Sequence, residues 1–529
     1  MSETGALTKA GAGSLTLSGA NTYTGATTIS AGSIIAANDA ALGTTAAGTT
    51  VASGASLDLS GVAIGAEALT LNGGTALTST GTSSLSGTIA LDASSTISNT
   101  GTLTLSGIIS GANALTKADT GTLILSAANT YSGATTISAG TLQLSGSGRL
   151  ADTTAVTADG TFDLNDVSDT IGSIAGSGSV LLGSGTLTAG GDNSSTTFSG
   201  IMSETGAFTK AGSGTLILSG ANTYTGATTI SAGTLQLSGS GRLADTTAVT
   251  ADGTFDLNDV SDTIGSLAGS GSVLLGSGTL TAGGDDSGTT FSGVMSETGG
   301  FTKAGTGTLI LSGANTYTGA TTISAGTLQL SGSGRLSDSS AVTANATFDL
   351  NDISDTIGSL AGSGSVLLGS GTLTAGGDNS GTTFSGIMSE TGAFTKAGSG
   401  TLILSGVNTY SGGTILNAGT LQINNDDGLG TGAATVSAGQ LTLNSVAVAN
   451  NLTLNGTTAL VTAGSGASSV SGTISLGSDT TITASTGDTL ALSGTINGAN
   501  ALTFAGAGDL TLSGIIGGST ALTSLTTGS

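Results

Sequence analysis

Apolar residues along this chain recur at alternate positions in very short bursts. Thr215–Leu218, the run from Thr228 to Ser231 and Thr234–Leu237 each set Leu or Ile on one side and Thr, Ser or Gln on the other. Such alternation predicts half-buried strands. Gly, Asn, Asp and Ser fall between the bursts as turn residues. No segment keeps a helical period for three turns, so no helical domain is expected. Strands of about 3–5 residues are too short for independent sandwiches. Their spacing instead predicts coils. Leu216, Leu235, Phe255 and Leu274 follow one another at steps of nineteen or twenty. Small residues at the turns let successive coils approach at the ~4.8 Å strand spacing. The expectation is an all-β, elongated parallel β-solenoid of about 28 short coils, each burying its Leu, Ile and Val on the coil below.

Repetition sets the organisation. The block around Lys117 returns at Lys210, Lys303 and Lys396, each step 93 residues, and a first copy stands at Lys9 with a slightly longer offset. A Tyr follows each Lys by fourteen residues: Tyr23, Tyr131, Tyr224, Tyr317 and Tyr410. Arg149, Arg242 and Arg335 keep the same 93-residue period, so every basic residue is a repeat position. A second kind of repeat flanks the first, since residues 42–126 resemble 429–513, with Phe504 in place of the Lys. The division expected is one continuous solenoid over 1–529. It has a first strand repeat at 1–41, a linker-type repeat at 42–114, tandem 93-residue repeats at 115–428 and a second linker-type repeat at 429–529. At the coil spacing above, five coils fit one repeat unit.

Composition narrows the chemistry. Gly is 93 of 529 residues, and Pro, Cys, Trp and His are absent. Without Cys there is no disulfide framework or thiolate site. Without His the commonest general base, metal ligand and pH switch are missing. Acidic residues outnumber basic ones 32 to 8, for a net charge of −24. That balance argues against nucleic acid and against docking on an anionic membrane. No apolar run approaches the ~18 residues of a membrane helix, and none precedes the repeats as a secretory leader.

The repeat motif itself is long. Phe208, Thr209 and Lys210, then Gly212, Gly214, Thr215, Leu216, Leu218, Ser219 and Gly220, then Asn222, Thr223, Tyr224, Gly226 and the run to Leu237 recur in five copies beginning near Leu7, Leu115, Phe208, Phe301 and Phe394. This pattern resembles the passenger-associated strand repeat of bacterial autotransporters and large surface adhesins. The resemblance implies a secreted, right-handed β-helix, extracellular or at the surface of a Gram-negative bacterium. Met1–Gly5 matches 202–206, 295–299 and 388–392, so the chain begins inside a repeat. With no C-terminal barrel pattern, it reads as passenger part only.

Several residues invite a site. The Asp triplets Asp163, Asp166, Asp169 and their copies at Asp256, Asp259, Asp262 and Asp349, Asp352, Asp355 lie near Asp192, Asp285 and Asp378. Carboxylates of this kind hold hard cations, but they equally cap turns. Lys and Tyr fourteen apart suggest a base, yet every candidate recurs at the repeat period, whereas an active site appears once. Lys packing its stem along a strand or pairing with Asp is the plainer account, and Tyr in its turn covers a coil edge. Pairs such as Thr228 and Thr229 would form hydroxyl rows when stacked. The reading is therefore a non-enzymatic surface protein with no catalytic, cofactor or metal residues, serving adhesion or display. Host-cell or matrix glycans are its expected partners, with no membrane insertion by this chain. The alternative is a filament subunit that self-associates head to tail through uncapped ends.

Overall fold

A computed structural model describes residues 4–528. The expectation placed on Met1, Ser2 and Glu3 lies outside them. The chain forms two compact units, Met1–Thr263 and Ile264–Ser529. Each is a parallel β-solenoid, and no helix occurs among the described residues. Most strands have two to five residues, as Leu115–Ala118, Thr122–Leu125 and Thr135–Ile137 illustrate. Two long ones, Leu69–Thr80 and Ile89–Asn99, pair through register shifts and so pass round a corner of the coil.

Alternation does place the core. In the first unit Leu123, Leu142, Phe162, Val180 and Met202 stand directly over one another in register and are fully buried. Burying each such side chain contributes about 1.5–3 kcal/mol. Close stacking depends on glycine at one corner. A Cβ on Gly178 would lie 1.9 Å from the Gly160 carbonyl oxygen, and one on Gly200 would lie 1.8 Å from that of Gly178.

The coil count is about 26 rather than 28. Coils are longer and less even than the spacing of the leucines suggests: Ala155 pairs with Ser173, Leu7 with Thr27 and Ser179 with Ile201. The 93-residue repeat is consequently not five coils. From Leu115 the ladder climbs through Thr135, Val156 and Ile174, crosses the bridge from Gly176 to Phe198, and reaches Leu216 from Thr196. Those five steps run past Phe208, where the next repeat starts, so the repeat falls short of five turns by one face. Lys210 therefore does not stand over Lys117. Its strand Ala207–Lys210 stacks on Thr186–Ala189, which stacks on Asp169–Ile171. The second unit does the same: Phe301 leads through Thr321, Val342 and Leu360 to Thr382 and Leu402.

Candidate surface groove and the polar network behind it

The recurring Lys, Tyr and Asn are internal fastenings. Lys117 is completely buried, and its Nζ donates to the carbonyls of Ala118 and Asp119 at 2.7 Å and of Ala139 at 3.2 Å. Lys210 repeats this with Ala211, Gly212 and Ala232. Its stem does lie inside, but the ammonium holds backbone carbonyls of two coils rather than a carboxylate. Burial pushes Lys117 down to about 8, with the Asp119 charge opposing, and lowers Lys210 likewise.

Tyr131 is not at a coil edge. It is fully buried, with its hydroxyl 2.6 Å from Thr135 Oγ1, and burial raises its ionisation. In the next copy of the repeat, Asn222 ties three coils. Its Nδ2 donates to the carbonyls of Gly220 and Arg242, and its Oδ1 accepts from the Met202 amide. This face of the coil has no regular strand, so the Asn side chain replaces ladder bonds. Asn222 belongs to the repeat motif but has no hydrophobic period that marks this role. Its recurrence two residues before each Tyr was the available signal.

The Asp triplet does not converge. Asp163 accepts from Gln143 Nε2 and from the Asn165 amide. Asp166, at φ 67°, accepts from the Ser184 amide. Asp169 turns inward, and its Oδ2 accepts from the Leu150 amide at 3.1 Å. Asp192 accepts from Ser173 Oγ and from the Ser194 amide and hydroxyl. Burial raises it, but those bonds prevail and leave it lowered. Among the described residues no three acidic groups are placed to hold a metal ion.

Asp169 does reach a site of another kind. Together with Arg149 and Asp152 it lines a surface groove of about 260 Å³. Hydroxyls complete the lining, from Ser168, Thr170, Thr186 and Thr188. Asp169 is only 3% exposed, and its Oδ1 has no hydrogen-bond partner. Burial pushes this carboxyl up to about 7, against the amides of Leu150 and Thr170 and the Arg149 charge, with Asp152 adding to the rise. In the second unit Asp355 repeats the arrangement. Its Oδ2 accepts from the Leu336 amide, its Oδ1 is unpartnered, and burial raises it to about 6.

From the groove runs a row of threonines. Thr170, Thr188, Thr209, Thr229 and Thr250 stand in register on five consecutive coils. The pair Thr228 and Thr229 is split between faces: Thr228 is buried against Tyr224, and only Thr229 looks outward.

The family model of the passenger-associated-transport-repeat matches this chain five times, at residues 7–36, 115–144, 208–237, 301–330 and 394–423. Each match contains one Lys, one Asn and one Tyr of the network above. A curated relative, the adhesin BmaC autotransporter of Brucella suis biovar 1 (strain 1330), is 35% identical over 387 residues. The alignment covers 68% of this chain and 11% of that protein. No solved structure matches significantly. Five passenger-associated-transport-repeats thus lie on the β-solenoid, and the chain spans about a tenth of the relative's length.

Proposed function

We propose that this chain is a segment of a cell-surface adhesive passenger, held outside the cell to present its solenoid faces to other surfaces. The observation that carries this reading is the fivefold passenger repeat, whose conspicuous polar residues are spent on fastening coils. Similarity to an autotransporter adhesin supports the adhesive role and the extracellular location. A structural role also accords with the groove, where the Ser168 hydroxyl oxygen is engaged by the Thr186 amide. The test is adhesion of beads coated with the purified chain to cultured epithelial cells and to extracellular matrix. Retention well above albumin-coated beads is expected. Equal retention would reject adhesion and leave a spacer.

Head-to-tail stacking is a second reading, favoured by one observation. In the last coil Leu512, Ile515 and Leu525 are exposed, beside the strands Asp509–Leu512 and Ser524–Thr527. A further coil or a second copy would cover them. Electron microscopy over a concentration series should show filaments if copies stack, and separate particles throughout if they do not.

A further inference from the structure

The groove at Arg149 carries both signs of charge and is rimmed by hydroxyls. Asp152 and Asp169 would repel an anion, and Arg149 would repel a cation. A neutral ligand that both donates and accepts hydrogen bonds suits all three. Arg149 Nη1 donates to its neighbour's carbonyl at Gly148, which fixes the guanidinium while leaving other N–H groups to point elsewhere. Asp169 supplies a second, independent sign. It is buried in the groove lining with one carboxylate oxygen lacking any donor. Buried polar atoms ordinarily find partners, so an unbonded oxygen beneath the groove floor leaves this lining incomplete in the free protein.

The surface beyond the groove extends the same chemistry. Thr170 and Thr188 belong at once to the groove and to the five-threonine row. Their counterparts Thr209, Thr229 and Thr250 follow at the ~4.8 Å strand repeat. Flanking the last three are Ala207, Ala227 and Ala248, so nothing bulky interrupts the row. Every Tyr and Phe of the intervening coils is buried, which removes ring stacking and leaves hydrogen bonding to do the recognition.

We propose that Arg149, Asp152 and Asp169 with the threonine row form a binding track for a neutral, hydroxyl-rich glycan chain, one sugar seated in the groove and the next ones along the threonines. This rests on the adhesive reading and gives it a ligand class. The second unit holds the same head group at Arg335, Asp338 and Asp355, but a shorter row. Thr356, Thr374 and Thr395 are followed by Ile415, which is 39% exposed where the first unit has Thr229. Ile415 also shows that the fold accepts a large apolar residue at this position.

Two variants test the track. One changes Arg149, Arg242 and Arg335 to Gln together. The other is Thr229→Ile, which copies the second unit's own residue. The full chain is titrated with dextran, a linear β-glucan and chitohexaose, with dextran sulfate and polylysine as charged comparisons. Circular dichroism confirms the fold of each variant. Binding of at least one neutral glycan is expected. The triple Arg variant should weaken it about tenfold or more, the scale of losing hydrogen bonds to a charged group. Thr229→Ile should weaken these longer glycans several-fold and leave binding of the monosaccharide glucose, titrated alongside, unchanged. Binding by dextran sulfate or polylysine alone would overturn the proposal. So would neutral binding that both folded variants retain. Absence of all glycan binding while coated beads still adhere to cells would reject the track and keep the adhesive reading. Loss of both would reject the two together.

Discussion

At the residue scale, the polar groups of the repeat separate by where their partners are. Lys117 Nζ has three carbonyl acceptors inside the protein. Phe504 shows that the place can be apolar, since it pairs with Ile482 and is only 4% exposed. A cavity is what the site does not tolerate. Lys210→Ala strips donors from buried carbonyls and is expected to cost about 2–4 kcal/mol. Lys210→Phe should cost less, and both are read by denaturant unfolding and by amide exchange around residues 207–233. Asp169, Asp262 and Asp355 give a pH signature. Their folded carboxyls are raised to about 7, 7 and 6, above the ordinary carboxylate range, because burial opposes the charge. Below about pH 4 both folded and unfolded forms carry the proton and nothing is lost. As pH rises from 4 towards 7 the unfolded chain ionises more readily than the folded one, so stability falls, then levels off above the folded values. Each tenfold difference in acidity between the two forms is worth about 1.4 kcal/mol. Melting temperature should therefore decline from pH 4 to 7. The triple Asp→Asn variant should flatten that decline, and an unchanged slope would show that other carboxylates set it.

At the element scale, the stack is limited by how closely corners approach. Gly200→Ala would put a methyl carbon 1.8 Å from the Gly178 carbonyl oxygen, and backbone there cannot rotate away. A loss of about 3 kcal/mol or more is expected, as for other overpacked interiors. It should appear as faster amide exchange in the coils on both sides. Gly13→Ala meets nothing within 4 Å and should change stability by less than about 0.5 kcal/mol. The alternation that defines Thr215–Leu218 and Thr234–Leu237 was legible because every second residue faces either core or water. The face carrying Asn222 and Tyr224 was not, because it has no strand there. Its bonds come from an amide side chain, which leaves no period in hydrophobicity. Arg149, Asp152 and Asp169 were equally hard to join on paper. Arg149 and Asp152 sit on one coil and Asp169 on the next, and only the register brings them to one groove.

At the scale of the whole fold, the mismatch between repeat and coil decides what the surface displays. If 93 residues made five coils, Lys117 and Lys210 would lie on one face of the first unit. Instead the ladder from Leu115 arrives at Leu216, eight residues past the repeat boundary at Phe208. The strands that carry Lys117 and Lys210, Leu115–Ala118 and Ala207–Lys210, therefore stand on different faces of the first unit. Because the chain has no Cys, paired cysteines can carry spin labels without background. Thr116 and Ile217 are outward positions of one ladder in the first unit, five coils apart. Their backbones should lie about 24 Å apart, five times the strand spacing. Thr116 and Thr209 are closer in sequence but on different sheets, so the width of the coil adds to their separation. Electron–electron distance measurements should give the longer distance for the pair with the shorter sequence separation. The reverse order would mean that the two repeats align on one face of the first unit, and the offset between repeat and coil would fall with it.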